Sequence, residues 1–312
     1  MKYLRLGDSG LEVSRLCLGS NNFGGQVDDA KSIAIIRKAI DLGINMIDTA
    51  NMYAKSNSEK IIGKAINGYR DQVIVATKVG WAMGEGPNQS GLSRRHILWQ
   101  VRESLKRLGT DFIDVYYLHK FDPATPLDET LRTMHNLVQD GVVRYVGCSN
   151  FAAWQIAKVH AVCDRLNLEK FVVVQPSYNL LQRDAERELL PYCHEEQLGV
   201  LTYSPLMGGF LTGKYSKDIS PPPDSRAKYN PGFWERVNIE RNFIALNKLS
   251  NLANTINVSL RQLAVAWILK NLTITGIILG ASTPQQVEEN CKLLEIDMPT
   301  EIYQKINEMI LV

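Results

Sequence analysis

The feature that most constrains this chain is a repeat. A short apolar run, a loop and an amphipathic segment of one to four turns recur along its length. The apolar runs are Leu16–Gly19, Ile44–Asp48, Val73–Thr77, Phe112–Leu118, Tyr145–Gly147, Phe171–Gln175, Gly199–Tyr203 and Gly276–Leu279. Short, often β-branched and bounded by loop residues, they read as buried strands. Helical segments fall between them, among them Ala30–Leu42, Ser58–Ile66, Ser93–Leu108, Asp128–Asp140, Ala153–Leu166 and Arg183–Glu196. In the third, Ile97, Val101, Leu105 and Leu108 fall on one helix face. Strands alternating with helices predict a parallel α/β sheet, and a count of eight favours a closed (β/α)8 TIM barrel over an open one.

The chain has 312 residues, which suits one such barrel of about 250 residues with additions. Residues 3–7 and 11–15 alternate apolar with polar around Gly7-Asp8-Ser9-Gly10, the pattern of an N-terminal β-hairpin. Pro221-Pro222-Pro223 and Pro231-Gly232 mark Lys214–Trp234 as a long loop interrupting the seventh βα unit. Two further helices, Gln285–Leu294 and Thr300–Ile310, finish the chain. No linker-like stretch divides it, so residues 1–312 are expected to form a single domain.

Charge and cysteine usage narrow the function classes. The formal net charge is +2 with no basic run, so the concentrated positive face that nucleic acid demands is missing. Five cysteines, never spaced C-x-x-C, fit neither a disulfide framework nor a structural zinc, and suit a reducing compartment. No apolar run approaches the roughly 20 residues of a membrane helix, and MKYLRLGDSG lacks the apolar core of a secretory signal. The expectation is a cytoplasmic protein that engages neither membrane nor nucleic acid. His96, His135 and His160 lie in helical segments without metal-ligand spacing, and no metal site is expected.

Three apolar runs are each followed by, or end in, a titratable residue: INMI by Asp48, VIVAT by Lys78 and DVYYL by His119, with Tyr53 one short loop beyond Asp48. Barrels place their chemistry where strands end. Lysine is rarely buried without a partner, and Asp48 on the neighbouring strand is the nearest anion for Lys78. A tyrosine with a reference pKa of about 10 releases a proton more readily beside an ammonium. Asp48 would hold that ammonium in place, and His119 could orient and polarise a carbonyl. The set suits proton delivery to an alkoxide formed when hydride adds to a carbonyl, and proteins draw hydride from a nicotinamide.

The segments DTANMY, ATK and YYLH resemble the aldo-keto reductase family, whose members are (β/α)8 barrels that reduce carbonyls with NADPH. The resemblance implies a catalytic tetrad of Asp48, Tyr53 (general acid), Lys78 and His119. Ala54 stands where many members have glycine, a difference expected to matter little. GCSNF at 147–151 is similar to the segment in which Ser149 and Asn150 would hold the nicotinamide carboxamide, with Gln175 beside the same group. YSPLMGGFLTGKY at 203–215 resembles the loop over the pyrophosphate. There Tyr203 would stack on the nicotinamide, and Ser204, Pro205, Leu206, Gly208, Leu211 and Lys214 would line the phosphates. GASTPQQVEEN at 280–290 resembles the adenosine-binding segment, implying Gly280, Ser282, Gln286, Glu289 and Asn290 as contacts, and Asn21 joins the cofactor set.

Many members carry a lysine and an arginine where this chain has Gly280 and Gln286, which leaves NADH open beside NADPH. PPDSRAKY at 222–229 resembles the branch containing potassium-channel β subunits and their bacterial relatives, and implies that Arg226 closes over the cofactor. Trp81, Met83 and Trp234 are expected on loops at the same face, where they could wall an apolar pocket. The leading expectation is an NADPH-dependent oxidoreductase acting on a small-molecule aldehyde or ketone. The alternative is a nucleotide-binding redox sensor or regulatory subunit with incidental turnover, working with a protein partner or as a homo-oligomer. A metal-dependent hydrolase is disfavoured by ligand spacing.

Overall fold

A computed structural model describes residues 1–223 and 225–310. A two-stranded antiparallel hairpin comes first, β1 (Tyr3–Arg5) and β2 (Glu12–Ser14). The alternation then runs β3 (Leu16–Gly19), α1 (Asp29–Asp41), β4 (Met46–Asp48), α2 (Asn57–Ile66), β5 (Ile74–Val79), α3 (Arg94–Leu108) and β6 (Ile113–Leu118). It continues with α4 (Leu127–Gln139), β7 (Val143–Ser149), α5 (Ala153–Leu166), β8 (Val173–Gln175), α6 (Leu189–Glu195) and β9 (Gly199–Tyr203). After a long excursion through α7 (Arg226–Tyr229), α8 (Pro231–Val237), α9 (Glu240–Thr255) and α10 (Leu260–Lys270) come β10 (Gly276–Gly280), α11 (Pro284–Lys292) and α12 (Thr300–Met309). Strands β3 to β10 are parallel and close in sequence order, β10 pairing with both β9 and β3. This is the (β/α)8 barrel expected from the repeat.

Local signals place the helices. Ser93 caps α3 by accepting from the His96 N–H, and Gly109, at φ 63°, ends the helix. The stretch Lys214–Trp234 differs from a plain loop, because α7 and α8 form in or from it. Asn230 accepts from the Phe233 N–H at 2.9 Å, and Pro231 takes the first helical position. Tyr215 packs against Phe210, Phe233 and Trp234, which ties the excursion to the barrel. Trp234 therefore packs within the excursion.

The strands sort their residues by a period of two. Leu16, Leu18, Ile47 and Val75 face the helices, while Cys17, Met46, Ile74, Ala76, Val115, Tyr117, Val173, Leu201 and Ile278 fill the barrel interior. The interior is crowded: a Cβ at Gly147 would come within 2.6 Å of Val173 and 2.9 Å of the Tyr117 ring, so only glycine admits that ring. Leu6 and Val13 of the hairpin belong to this interior cluster and close one end of it. The same parity decides what lines the other end. Two residues beyond an interior Met46, Ala76, Tyr117, Val173 and Leu201 come Asp48, Lys78, His119, Gln175 and Tyr203.

Candidate active site

Asp48 ends β4 and Lys78 lies within β5, one residue further inside the strand than the apolar pattern suggests, because pairing of Val79 with Leu118 extends β5 to Val79. The Lys78 ammonium is fully buried and donates to Asp48 Oδ1 at 2.5 Å and to the Thr49 carbonyl at 2.7 Å. Asp48 Oδ2 accepts from Gln175 Nε2 at 2.7 Å, so both carboxylate oxygens are taken. Gln175, expected beside the nicotinamide carboxamide, thus commits a donor to Asp48. Lys78 Nζ lies 5.2 Å from the centre of the Tyr53 ring, and that ring meets His119 edge-on at 6.0 Å. The four residue types are brought together.

Electrostatics assigns each a state. Burial pulls Lys78 down, but Asp48 and Tyr53 together outweigh it and hold the ammonium above its ordinary value. Burial pushes the Tyr53 phenol up; Lys78 opposes this without cancelling it. The expectation that Lys78 lowers the Tyr53 pKa is therefore met only as an opposing influence, and the phenol stays protonated. Burial, then Lys78 and Lys120, push His119 down to about 3, so its ring is neutral across the physiological range. His119 Nδ1 is buried without a partner among the described residues.

Tyr53 is aimed by an unusual turn. Ala54 (φ 47°, ψ 42°), Lys55 (φ 52°) and Ser56 (φ 72°) are all left-handed, at about 1–2 kcal/mol each for residues with a Cβ. Ser56 Oγ donates to the Asn51 carbonyl at 2.8 Å and closes the turn. Ala54 occupies a conformation that suits glycine, so this difference matters more than expected.

The remaining predicted residues fall into two groups. Ser149, Asn150 and Tyr203 form one chain of bonds: Tyr203 OH donates to Asn150 Oδ1 at 2.7 Å, and Asn150 Nδ2 to Ser149 Oγ and the His119 carbonyl. Ser149 Oγ donates onward to the Gln175 carbonyl. The second group surrounds the turn after β9, where Ser204, Met207, Gly208 and Gly209 all have positive φ, and Pro205, Leu206 and Leu211 are buried. A Cβ on Gly208 would lie 2.7 Å from the Phe233 ring and 3.0 Å from the Arg226 side chain; one on Gly209 would meet Lys214 at 3.2 Å. Lys214 and Arg226 are exposed beside this turn, and burial with the Arg261 charge draws Lys214 below its ordinary value.

Across from it, Asn290 donates to the Gly280 carbonyl, Ser282 N–H donates to Gln286, and Glu289 and Asn290 both accept from Arg261. Asn21 is exposed and, among the described residues, makes no side-chain bond to this group. Its neighbour Asn22 instead donates to the Ala281 carbonyl, and its Oδ1 is buried without a partner among the described residues. Asn22 and Arg261 are the residues sequence reasoning missed. Asn22 could be found only from its adjacency to Asn21, and Arg261 carries no motif.

A dinucleotide fits these groups: a turn whose glycines leave no Cβ in the way, the cations Lys214 and Arg226 beside it, and an amide oxygen of Asn22 left without a partner among the described residues. Two crevices lie elsewhere, one of about 440 Å³ around Arg15, Leu42, Leu269 and Met298, and one of about 660 Å³ between residues 87–89 and α3. Neither is lined by Asp48, Tyr53, Lys78 or His119, so residue chemistry is the better guide than volume. Among the described residues no cluster of metal-ligand side chains occurs, and no helix is long and apolar enough to cross a membrane.

A closed barrel with a buried Lys–Asp pair, a phenol and a neutral imidazole at its rim defines a barrel oxidoreductase. The chain belongs to the aldo/keto reductase family, whose model matches residues 15–311. It is 39% identical to a probable voltage-gated potassium channel subunit beta of Oryza sativa subsp. japonica, over 99% of this chain and 97% of that one. A putative subunit of the same kind from Schizosaccharomyces pombe is 40% identical over 98% and 92%. An uncharacterized oxidoreductase, YrpG, of Bacillus subtilis is 38% identical over 99% and 96%.

Proposed function

We propose that this chain, acting as a single domain in the cytoplasm, reduces aldehydes or ketones to alcohols with NADPH, and that Tyr53 is the proton donor. The carrying observation is the fully buried Lys78 ammonium, held by Asp48 and facing the Tyr53 ring. When bound, the nicotinamide supplies the hydride. The phosphates would be held by the turn at 204–209 with Lys214 and Arg226, the carboxamide by Ser149 and Asn150, and the adenosine end by residues 280–290. Neutral His119 donates one ring N–H to the carbonyl oxygen and fixes its position. Tyr53 O–H gives its proton to that oxygen as charge develops there. The resulting phenolate is stabilised by Lys78, whose ammonium is held by Asp48, itself fixed by a second bond from Gln175. Gln175 keeps Asp48 facing the lysine.

The names of the rice and yeast relatives favour a second reading, in which the bound nucleotide reports redox state to a protein partner and turnover is incidental. Purified protein is assayed for NADPH and NADH oxidation with a panel of aldehydes and ketones. Tyr53→Phe is expected to lose about 10²–10⁴-fold in kcat while retaining nucleotide binding. NADPH binding without turnover on any substrate would overturn the reductase reading and favour the second.

A further inference from the structure

We propose that Lys120, held on the face of Trp81, forms a carboxylate-binding subsite at the rim of this site, so that the preferred substrates are carbonyl compounds bearing a carboxylate. The proposal rests on the reductase reading and adds a substrate class to it.

The placement follows from register. β5 and β6 pair Lys78 with Tyr117 and Val79 with Leu118. Two residues past each strand end, the same register brings Trp81 beside Lys120. Lys120 Nζ sits 4.0 Å from the centre of the Trp81 indole, which in turn meets the His119 ring edge-on at 6.1 Å. The ammonium is therefore no more than about 10 Å from the imidazole, the two separations taken end to end, a span over which charge still acts through a partly desolvated rim. It does act, since Lys120 contributes to keeping His119 neutral.

This cation makes no salt bridge among the described residues. The nearby Asp122 feels its charge, but that carboxylate is occupied by the Leu92 N–H at 2.7 Å, Thr125 Oγ1 at 2.7 Å and the Ala124 N–H at 3.0 Å. Nor does the cofactor account for Lys120. On the eight-strand ring β5 and β6, which deliver Trp81 and Lys120, lie four and three places from β9, across the barrel from the turn that gathers Lys214 and Arg226. Trp81 is 41% exposed, so the cation–π pair faces the opening. The aromatic face restricts the lysine and leaves its ammonium presented to a ligand. A carboxylate one aromatic ring or short chain away from the carbonyl would meet Lys120 while the carbonyl meets Tyr53 and His119.

The test compares kcat/KM for 4-carboxybenzaldehyde and for its neutral counterpart, methyl 4-formylbenzoate, in the full chain with NADPH. In Lys120→Met the ratio of charged to neutral substrate is expected to fall about fivefold, chiefly through KM, as for a partly exposed ion pair. Calorimetric binding of benzoate to the chain loaded with NADP is expected to weaken by a similar factor. If both aldehydes turn over and the substitution leaves the ratio unchanged, the subsite is wrong and the reductase reading stands. If neither aldehyde turns over, the panel test above decides the reductase reading and calorimetry decides the subsite: weaker benzoate binding in the variant keeps it, and equal binding removes it.

Discussion

Replacing Asp48 with asparagine isolates the pair at the centre of the site. Lys78 is fully buried, and its charge is compensated by Asp48 at 2.5 Å and the Thr49 carbonyl at 2.7 Å. Asp48→Asn keeps the shape and the Thr49 bond but strands the ammonium. Breaking a buried pair by removing one partner costs about 3–5 kcal/mol. A chain of 312 residues loses about 1.5 °C of Tm per kcal/mol, so the expected fall is about 5–8 °C at neutral pH. The pH dependence is the sharper readout. In the wild type the folded-state pKa of Lys78 lies above its ordinary value. Its contribution is therefore fully present below about pH 10.4 and is lost only as pH rises through the folded value. In the variant the largest support is gone, burial outweighs what Tyr53 still contributes, and the folded value drops below the unfolded one, so stability rises as pH rises and the lysine discharges. The Tm gap between the two proteins, followed by circular dichroism, should narrow from pH 7 to pH 9.5. A gap constant to within about 1 °C, or a variant as stable as wild type at pH 7, would refute the argument that Asp48 compensates a buried charge.

Three further outcomes are expected. Ala54→Gly removes a left-handed penalty and adds unfolded-state freedom, for a net gain of about 0.5–1 kcal/mol in urea unfolding. His119 in the folded protein titrates at about 3 against about 6.5 unfolded, so its contribution to stability is complete above pH 6.5 and is lost as pH falls toward 3; its ring signals in NMR should not shift between pH 5 and 8. Gly208→Ala, at φ 61° and with the new methyl 2.7 Å from Phe233, should raise the NADPH Kd about tenfold in fluorescence titration, and an unchanged Kd would remove this turn from the phosphate site.

What the sequence made legible follows from range of interaction. The strands were legible because burial forces continuous β-branched runs, and the inward direction of Asp48, Lys78, His119 and Gln175 follows from strand parity alone. α10 carries no such periodicity: Leu263 through Ile268 are all buried, which erases the amphipathic stripe. The partner of Gln175 was not legible, because the bond to Asp48 joins residues 127 positions apart and exists only after closure. The left-handed run at Ala54–Ser56 was hidden for the opposite reason, since three ordinary residues occupy a conformation that propensity reserves for glycine or asparagine. Arg261 reaches Glu289 and Asn290 only because the fold brings α10 against the segment that follows β10.

The hairpin at the closed end of the barrel has a consequence for the order of folding. Leu6 and Val13 rest on interior side chains drawn from β3 to β10, and a Cβ at Gly7 would lie 2.5 Å from the Val172 carbonyl and 2.6 Å from the Gly199 amide. That seat exists only once β8 and β9 are in place, nearly two hundred residues later in the chain. The hairpin therefore docks only after strands far later in the chain are in place, as a stopper on a barrel already closed, and that distance lengthens the mean contact separation that slows folding. Until it docks, the floor of the barrel is open to water and its apolar lining is exposed to other chains.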